Sequence, residues 1–518
     1  MSTMESRDAR VSGFASDSSS RAGIIAVGLP LLVFFLALAP RLTDLGRLSF
    51  WSDEVITAHR AAMPIPLLIL DAFTWHHTPF YFLLITPFAH MSDLQFWLRL
   101  PSAVLGALNV MLVFVIAARV GGRTAGIAAA LIIGLAPTEI AYSQEARSYM
   151  LMIFFLLIAL QALIKLAQSG EQAALPWRAG HLGWVWAQFI SGSAAALCTL
   201  GDSLPWLAAA GVSAIVLIFR ARNQIGLAQN FIAANAISLG CCVPVYMLML
   251  HFEGRIVIQL NEPVPIPALV WYDVGSIYLM RVCDFVTPHF MAVPTPQALT
   301  GCIGAGLGLA ALGGVWRLRR DPAIAAVLLP AVLMLPFLFG LVSIHKPLLT
   351  ARYLLWSGPP FAILAGLGIG AALDKCPAST RYGALAAASL LLLINLAPFY
   401  HVETKPGWQL AGRIFAAQAR PQDVAYYCFP EARQTMAYYL PTRSQPYLLY
   451  DLHDNLAQLQ RARGQGKRVW VIYGDDVDVP HWRSLAYFQT FLAPLGAPSA
   501  ELKAGSRIIM WRYDPPKM

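Results

Sequence analysis

The sequence predicts a mainly α-helical, polytopic membrane protein of about eleven transmembrane helices with a small C-terminal α/β domain. Three observations support this fold class. The 518 residues are 57% hydrophobic and only 13% charged, and their mean hydropathy of +0.58 exceeds what a soluble core requires. Apolar runs of the roughly 20 residues that a spanning helix needs recur as far as residue 400. After Tyr400, polar and apolar residues mix as they do in a water-exposed domain.

The first apolar run, residues 23–40, follows a polar, Ser-rich tail over residues 1–21. Small residues near the end of this run are compatible with a signal peptide, but the long tail and the many later spans favour a retained helix. Further spans are predicted at residues 96–118, 124–142, 149–166, 184–200, 205–219, 225–250, 299–316, 323–342, 354–372 and 383–398. The predicted transmembrane domain therefore covers residues 22–400, and a separate domain covers residues 401–518.

Basic residues occur mainly in every second link between spans, which is typical of cytoplasmic loops. These links contain Arg119, Arg123, Arg220, Arg222, Arg317, Arg319, Arg320, Lys375 and Arg381. With a cytoplasmic N-terminus and an odd number of spans, the C-terminal domain is expected to be extracytoplasmic. The outer segments are then residues 41–93, the turn near Glu145, the turn at Asp202, residues 251–298 and residues 345–353. Because topology explains the net charge of +9, nucleic acid is not an expected partner.

Cysteine and histidine patterns predict neither a metal site nor a disulfide framework, and no cofactor is expected. The seven cysteines include no CxxC or Cys/His ligand spacing. His76 and His77 are adjacent, so on a regular element their side chains point in different directions and form a poor metal pair. His77 is instead expected to line a substrate groove.

Two carboxylates, Asp53 and Glu54, follow Trp51 shortly after the first apolar run. One interpretation is an ordinary helix start, with Ser52 as the cap and acids in the first turn. The alternative is catalytic: a carboxylate at an apolar membrane surface can have a raised pKa suited to accepting a hydroxyl proton. A general base of this kind typically contributes about 10²- to 10⁴-fold to the rate. Asp53 and Glu54 are the candidate catalytic residues.

A second polar cluster, Tyr142 to Tyr149, contains Glu145 and Arg147 between two apolar spans. Carrying a charge to the bilayer centre would cost about 2.5 to 3.5 kcal/mol, so these side chains are expected to stay at the interface. An ordinary polar turn with interfacial tyrosines explains the same pattern.

A third cluster, His345 to Tyr353, places Lys346 and Arg352 on the predicted outer side, against the usual charge bias. A lipid phosphate explains them, because guanidinium binds phosphate oxygens in a fork and Lys adds a point charge. Anchoring of a helix end to lipid headgroups is the alternative.

In this order, the three clusters resemble the bacterial members of the protein O-mannosyltransferase-like superfamily, the GT-C glycosyltransferases of family 39 type. The resemblance spans roughly residues 40–400. It is carried by Trp51-Ser52-Asp53-Glu54, His77-Thr78-Pro79-Phe80-Tyr81, the block from Tyr142 to Tyr149, and Arg352-Tyr353-Leu354. The Ser-Gln-Glu-Ala-Arg sequence at residues 143–147 is the most specific of these.

The resemblance implies transfer of a sugar from a polyprenyl-phosphate-linked donor to an acceptor hydroxyl of a lipid, glycan or protein on the outer face. Asp53 would be the base of a metal-independent, inverting displacement. The donor phosphate would be bound by Arg352, Lys346, Arg147 and Tyr353, and the substrate cavity would include Trp51, His77, Glu145, Tyr149 and Asp202. Asp202 stands where relatives often have a Thr-His-Tyr element.

Two other functions are weighed against glycosyl transfer. A transporter or flippase of lipid-linked saccharides would carry charges at the bilayer midplane, often with internal repeats. This sequence has no evident repeat, and its ionisable residues gather at one membrane face. A noncatalytic assembly subunit would leave Asp53, Glu145 and Arg352 as unrelated surface residues.

Overall fold

The structure is a computed structural model that describes residues 28–177, 182–253, 297–343, 351–428, 430–440, 448–449, 455–474 and 485–516. The predicted cytoplasmic tail, most of the predicted outer segment 251–298, and Lys346 lie outside the described residues.

Helices dominate the chain up to residue 401. In chain order they are α1 (Gly28–Leu42), α2 (Ser52–Ala61), α3 (Ile65–Thr74), α4 (Phe80–Ile85), α5 (Leu94–Gly134), α6 (Pro137–Ser143), α7 (Tyr149–Ser169), α8 (Gly183–Thr199), α9 (Pro205–Arg220), α10 (Gln224–Glu253), α11 (Gln297–Leu318), α12 (Pro322–Ser343), α13 (Ala351–Leu354), α14 (Gly358–Leu373) and α15 (Ala378–Leu396).

Eight helices in the described part of the chain are long and apolar enough to cross a membrane. The chain is therefore an integral membrane protein, and its mainly helical class is as predicted. The count of about eleven spans is not confirmed. The spans predicted at residues 96–118 and 124–142 correspond to the two halves of α5, which count as one of the eight helices, together with the short helix α6.

Helix α5 changes direction at Gly122, which has φ +83° inside an otherwise helical run. Glycine adopts this left-handed region without the steric penalty of a Cβ atom, so the two halves meet without a loop. The second half then stops at Gly134, and Pro137 begins the short helix α6. The predicted span 124–142 is consequently divided in two.

Small residues allow the central helices to approach closely. A Cβ atom added to Gly366 of α14 would lie 2.6 Å from the backbone oxygen of Ala125 in α5. On another face of α14, a Cβ atom at Gly368 would collide with the carbonyl oxygen of Ala310 in α11. Such contacts are typical of helices that associate within a membrane, where close backbone packing replaces the hydrophobic driving force.

The C-terminal part forms a five-stranded sheet with helices around it. The helices are α16 (Trp408–Gln418), α17 (Pro430–Tyr439), α18 (Asn455–Gly464) and α19 (Leu485–Leu492), and the strands are β1 (Val424–Tyr427), β2 (Leu448–Leu449), β3 (Val469–Gly474), β4 (Ala500–Ala504) and β5 (Ile508–Tyr513). The strand order is β2-β1-β3-β5-β4, with β1 parallel to both β2 and β3 and with antiparallel pairing from β3 to β5 to β4.

Its core is distinct from that of the helical bundle and contains the fully buried rings of Trp408, Phe415, Trp470 and Phe488. For this domain the sequence predicts helices at 408–418, 431–440 and 454–461 and strands at 424–429, 447–450, 468–473 and 507–513, and each overlaps an observed helix or strand. Strand β4 and helix α19 were not predicted. Alternate residues of β4 are exposed, so it lacks a continuous apolar run.

Candidate active site

Asp53 lies in the first turn of α2, where the chain leaves an extended conformation at Trp51. Among the described residues no side chain caps this helix, so the capping role considered for Ser52 is wrong. The carboxylate of Asp53 is 24% exposed and faces two guanidinium groups. Its Oδ2 atom is 3.3 Å from Nη2 of Arg147 and 3.8 Å from Nη1 of Arg352.

Three separate parts of the chain supply these charges. Arg147 comes from the turn between α6 and α7, and Arg352 comes from the short helix α13. The structure thus brings together three residues that the sequence predicted for one site. Both guanidinium groups approach the same oxygen at distances above those of a tight charge-assisted hydrogen bond. Arg147 Nε is buried and has no hydrogen-bond partner among the described residues.

Glu54 points away from Asp53 into a fully buried ion-pair cluster. Arg99 donates from Nε to Oε1 at 2.7 Å and from Nη2 to Oε2 at 2.8 Å. Lys405 Nζ donates to Oε2 at 3.0 Å, and the backbone N–H of Ala146 donates to Oε1 at 3.0 Å. Burial disfavours the charged form, but Arg99 and Lys405 overcome it and lower the pKa of Glu54 to about 2. Both carboxylate oxygens are therefore engaged with protein groups.

Glu145 lies at the edge of the same cluster rather than in an open cavity. Its side chain is 6% exposed, its Oε1 atom is 4.0 Å from Lys405 Nζ, and Oε2 has no hydrogen-bond partner among the described residues. Burial raises the pKa of this carboxyl group, and the lysine opposes the increase only in part.

A cavity of about 60 Å³ adjoins Arg147. It is lined by the segment between α3 and α4, by the end of α8 and by α10, through His76, His77, Thr78, Tyr81, Phe82, Ser148, Thr199, Leu200, Gly201, Tyr246 and Met249. The Thr78 hydroxyl donates to the carbonyl oxygen of Thr199 and joins two of these walls. His77 lines this cavity, and its place in a substrate groove stays a prediction.

His77 is expected to make stability depend on pH. Burial, together with the positive charges of Arg147 and Arg60, lowers its pKa to about 4. Because the folded state disfavours the protonated ring, stability should fall as pH decreases from about 6.5 towards 4, by up to about 3 kcal/mol. Unfolding midpoints of wild type and His77→Gln, measured across this range in detergent, check the prediction. Equal slopes for the two proteins would contradict it.

The other predicted site residues lie around the group formed by Asp53, Arg147 and Arg352. Tyr149 is buried and packs edge to face on Tyr142, with ring centroids 5.4 Å apart. Asp202 lies in the 3₁₀ turn Gly201–Ser203 that precedes α9, and it interacts electrostatically with Arg352 and Arg147. The guanidinium carbon of Arg352 lies 5.0 Å from the ring centroid of Tyr353.

Trp51 is 8% exposed, and its indole nitrogen has no hydrogen-bond partner within the described ranges. These ranges also contain no cluster of three or more His, Cys, Asp or Glu residues arranged to hold a metal ion.

Three basic residues around the centre were not predicted from the sequence: Arg60, Arg99 and Lys405. Arg60 lies seven positions after Asp53, which is about two turns along α2, so helical spacing could have placed it on the same face. Its Nε donates to Asp71 at 2.6 Å, while the buried Nη1 has no hydrogen-bond partner among the residues described here. Arg99 and Lys405 act on Glu54 from distant parts of the chain, and no local pattern identifies them.

Solved membrane proteins share this architecture at low sequence identity. The apo structure of ArnT from Cupriavidus metallidurans has a TM-score of 0.57 and 14% identity, covering 94% of this chain and 98% of ArnT. ArnT is a GT-C glycosyltransferase. The chain has the GT-C fold. A second ArnT structure, bound to undecaprenyl phosphate, has a TM-score of 0.56 and 14% identity over the same shares of both chains.

An oligosaccharyltransferase with this GT-C fold, from Archaeoglobus fulgidus and tethered to an acceptor peptide, has a TM-score of 0.50 and 10% identity. The match covers 87% of this chain and 70% of the oligosaccharyltransferase. No family model matches the sequence, and no curated protein matches it either. These likenesses therefore establish the GT-C fold, while residue roles rest on the geometry of this chain.

Proposed function

We propose that this protein is a membrane glycosyltransferase that moves a sugar from a polyprenyl-phosphate-linked donor to an acceptor hydroxyl on the extracytoplasmic face. One observation carries the proposal. A partly exposed carboxylate, Asp53, lies within 4 Å of two guanidinium groups, Arg147 and Arg352, at 3.3 and 3.8 Å. A base beside a pair of cations is the arrangement that sugar transfer from a phosphate leaving group needs.

In the proposed reaction, Asp53 accepts the proton of the acceptor hydroxyl. The acceptor oxygen forms a bond to the anomeric carbon of the sugar as the bond between that carbon and the phosphate oxygen breaks. The bonding electrons leave with the phosphate, which becomes a monoester with one additional negative charge. Arg352 and Arg147 stabilise that charge, so positioned cations lower the barrier. Attack opposite the leaving group inverts the anomeric carbon.

Within this proposal, Glu54 is a positioning residue rather than a second catalytic acid. It has no exposed surface and its oxygens are engaged with Arg99, Lys405 and the N–H of Ala146. Ala146 directly precedes Arg147, and Glu54 directly follows Asp53. The contact between them therefore holds the base and one cation at a fixed separation.

The GT-C neighbours support the donor class. ArnT has been solved with undecaprenyl phosphate, and the archaeal oligosaccharyltransferase with an acceptor peptide. By analogy, the lipid phosphate of the donor would bind near Arg352, with Lys346 and Tyr353 also contributing. The cavity beside Arg147, lined by His77, would receive part of the sugar or the acceptor, and Asp202 follows its lining residue Gly201. The C-terminal domain, residues 401–518, would lie outside the cytoplasm.

The proposal is tested by transfer from a labelled polyprenyl-phosphate sugar pool into cell-envelope fractions, comparing membranes with and without the protein. Label is expected in an acceptor fraction only when the protein is present, and that fraction identifies the acceptor as lipid, glycan or protein. Movement of intact donor across the membrane without any labelled product would instead indicate a transporter and contradict glycosyl transfer.

Arg352→Ala is expected to raise the KM for the lipid donor by about 10- to 100-fold. A hydrogen bond to a charged group contributes about 1.5 to 3 kcal/mol, and about 1.4 kcal/mol corresponds to a factor of ten. Arg352→Lys keeps the charge but loses the planar fork, so its KM should lie between those of wild type and Arg352→Ala. An unchanged dependence on donor concentration in Arg352→Ala would remove Arg352 from the phosphate site.

A further inference from the structure

Lys405 reaches from the segment after the last long helix into the buried cluster around Glu54. Its side chain is 7% exposed. The ammonium group donates to Glu54 Oε2 at 3.0 Å and to the carbonyl oxygen of Gln144 at 3.1 Å, and lies 4.0 Å from Oε1 of Glu145. One cation thus joins α2 to the turn that carries Arg147.

The loop that leads into α2 is also held by the C-terminal part of the chain. The backbone N–H of Gln409 donates to the Ser49 hydroxyl at 3.1 Å, and the N–H of Phe50 donates to the Tyr439 hydroxyl at 2.7 Å. The ring of Tyr438 lies 6.0 Å from the ring of Phe50. Contacts from α16 and α17 therefore fix the residues immediately before Trp51 and Asp53.

The charge balance of the cluster requires this lysine. Glu54 and Glu145 are both buried; Lys405 lies within 4.0 Å of both carboxylates, whereas Arg99 is bound to Glu54 and Arg147 interacts electrostatically with Glu145. Removing one partner from a buried ion-pair network leaves an uncompensated charge, which is strongly unfavourable. The turn at residues 144–147 would lose the hydrogen bond from Lys405 to Gln144 and would relax away from α2.

We propose that Lys405 is a positioning residue that sets the separation between Asp53 and Arg147, so that the C-terminal domain is part of the catalytic apparatus. This inference rests on the proposed function. Lys405 touches neither reacting group and acts through Glu54, Gln144 and the residues next to them. Enzymatic rates are sensitive to such placement, because an error of about 1 Å can cost about 10²-fold.

The test compares Lys405→Met with the conservative Lys405→Arg and with Lys503→Met, a control lysine of the same domain whose side chain is 66% exposed. Lys405→Met should lower kcat by about 10- to 100-fold, with the KM for the donor changed less than about threefold. Lys405→Arg keeps the buried charge, so its kcat should lie above that of Lys405→Met. Lys503→Met should match wild type. A raised KM with an unchanged kcat would overturn the positioning role.

Amide hydrogen exchange on the same proteins gives a readout that does not need activity. In Lys405→Met, peptides covering residues 47–54 and 144–148 should exchange faster, while peptides from β3 should not change. Unchanged exchange in both segments would overturn the inference and show that Lys405 has no ordering role. Faster exchange in β3 as well would also overturn it and would indicate a general role in folding. If wild type transfers no sugar, the proposed function fails, and exchange still decides whether Lys405 orders the two segments.

Discussion

Replacing Asp53 with Asn is expected to lower kcat for sugar transfer by about 10²- to 10⁴-fold, the range that a general base contributes. Asn keeps the size of the side chain and much of its hydrogen bonding but cannot accept the acceptor proton. The loss should appear in kcat, because the guanidinium groups of Arg147 and Arg352 remain available to the donor phosphate. Initial rates at saturating donor, with equal amounts of folded protein, measure it.

Asp44→Asn is the matched control for this experiment. Asp44 is an exposed acid before α2, its side chain is 48% exposed, and it pairs with Arg47 at 3.1 Å. The substitution makes the same chemical change at an acid that pairs with Arg47 rather than with Arg147 or Arg352, and it should leave the rate at the wild-type value. If Asp53→Asn and Asp44→Asn are both as active as wild type, Asp53 is not the base.

Replacing Arg99 with Met is expected to destabilise the protein by about 3 to 5 kcal/mol, the cost of leaving a buried charge without its partner. Arg99 makes two hydrogen bonds to Glu54 and also donates to the carbonyl oxygens of Leu45, Leu48 and Ser49. Its loss therefore leaves the Glu54 carboxylate and these three carbonyl oxygens without their hydrogen-bond donor. The free energy of unfolding in mixed detergent micelles measures the effect.

The double variant Arg99→Met/Glu54→Leu distinguishes the stability lost through an unpaired buried charge from the stability lost through packing. Removing the acid as well should recover part of the lost stability, since paired removal of a buried ion pair is often nearly neutral. Lys405 still lacks a full partner in that variant, so recovery should be incomplete. Strict additivity of the two single changes would show that Arg99 and Glu54 are not energetically coupled.

Much of the fold could be predicted from hydropathy, since long apolar helices are the main way a chain satisfies its backbone inside a membrane. Helix boundaries were harder to predict from hydropathy. The break at Gly122 falls in the predicted link between the spans 96–118 and 124–142, but the break before Pro137 interrupts an apolar run that was predicted as one span. The number of spans therefore could not be read from apolar length alone. Short strands such as β4, with alternate residues exposed, give little sequence signal.

The site was predictable where the chain presents charged residues at the ends of apolar runs. Asp53, Arg147 and Arg352 were identified in this way, and the structure places them together. Glu54 carries the same local signal as Asp53, yet successive residues of a helix face different directions, and Glu54 turns to Arg99. Local sequence could not reveal this difference, because the partners of Glu54 lie 45 and 351 positions away.

The position of Lys405 along the chain has a consequence for biosynthesis. Glu54 leaves the ribosome 351 residues before the lysine that completes its surroundings. Arg99 follows Glu54 by only 45 residues, so the first ion pair can form while the early helices assemble. The cluster around Glu54 is therefore completed only after the helical region has been synthesised and Lys405 has been added. A nascent or truncated chain ending before Lys405 would contain Asp53, Arg147 and Arg352 but would lack the contact that joins their supporting segments.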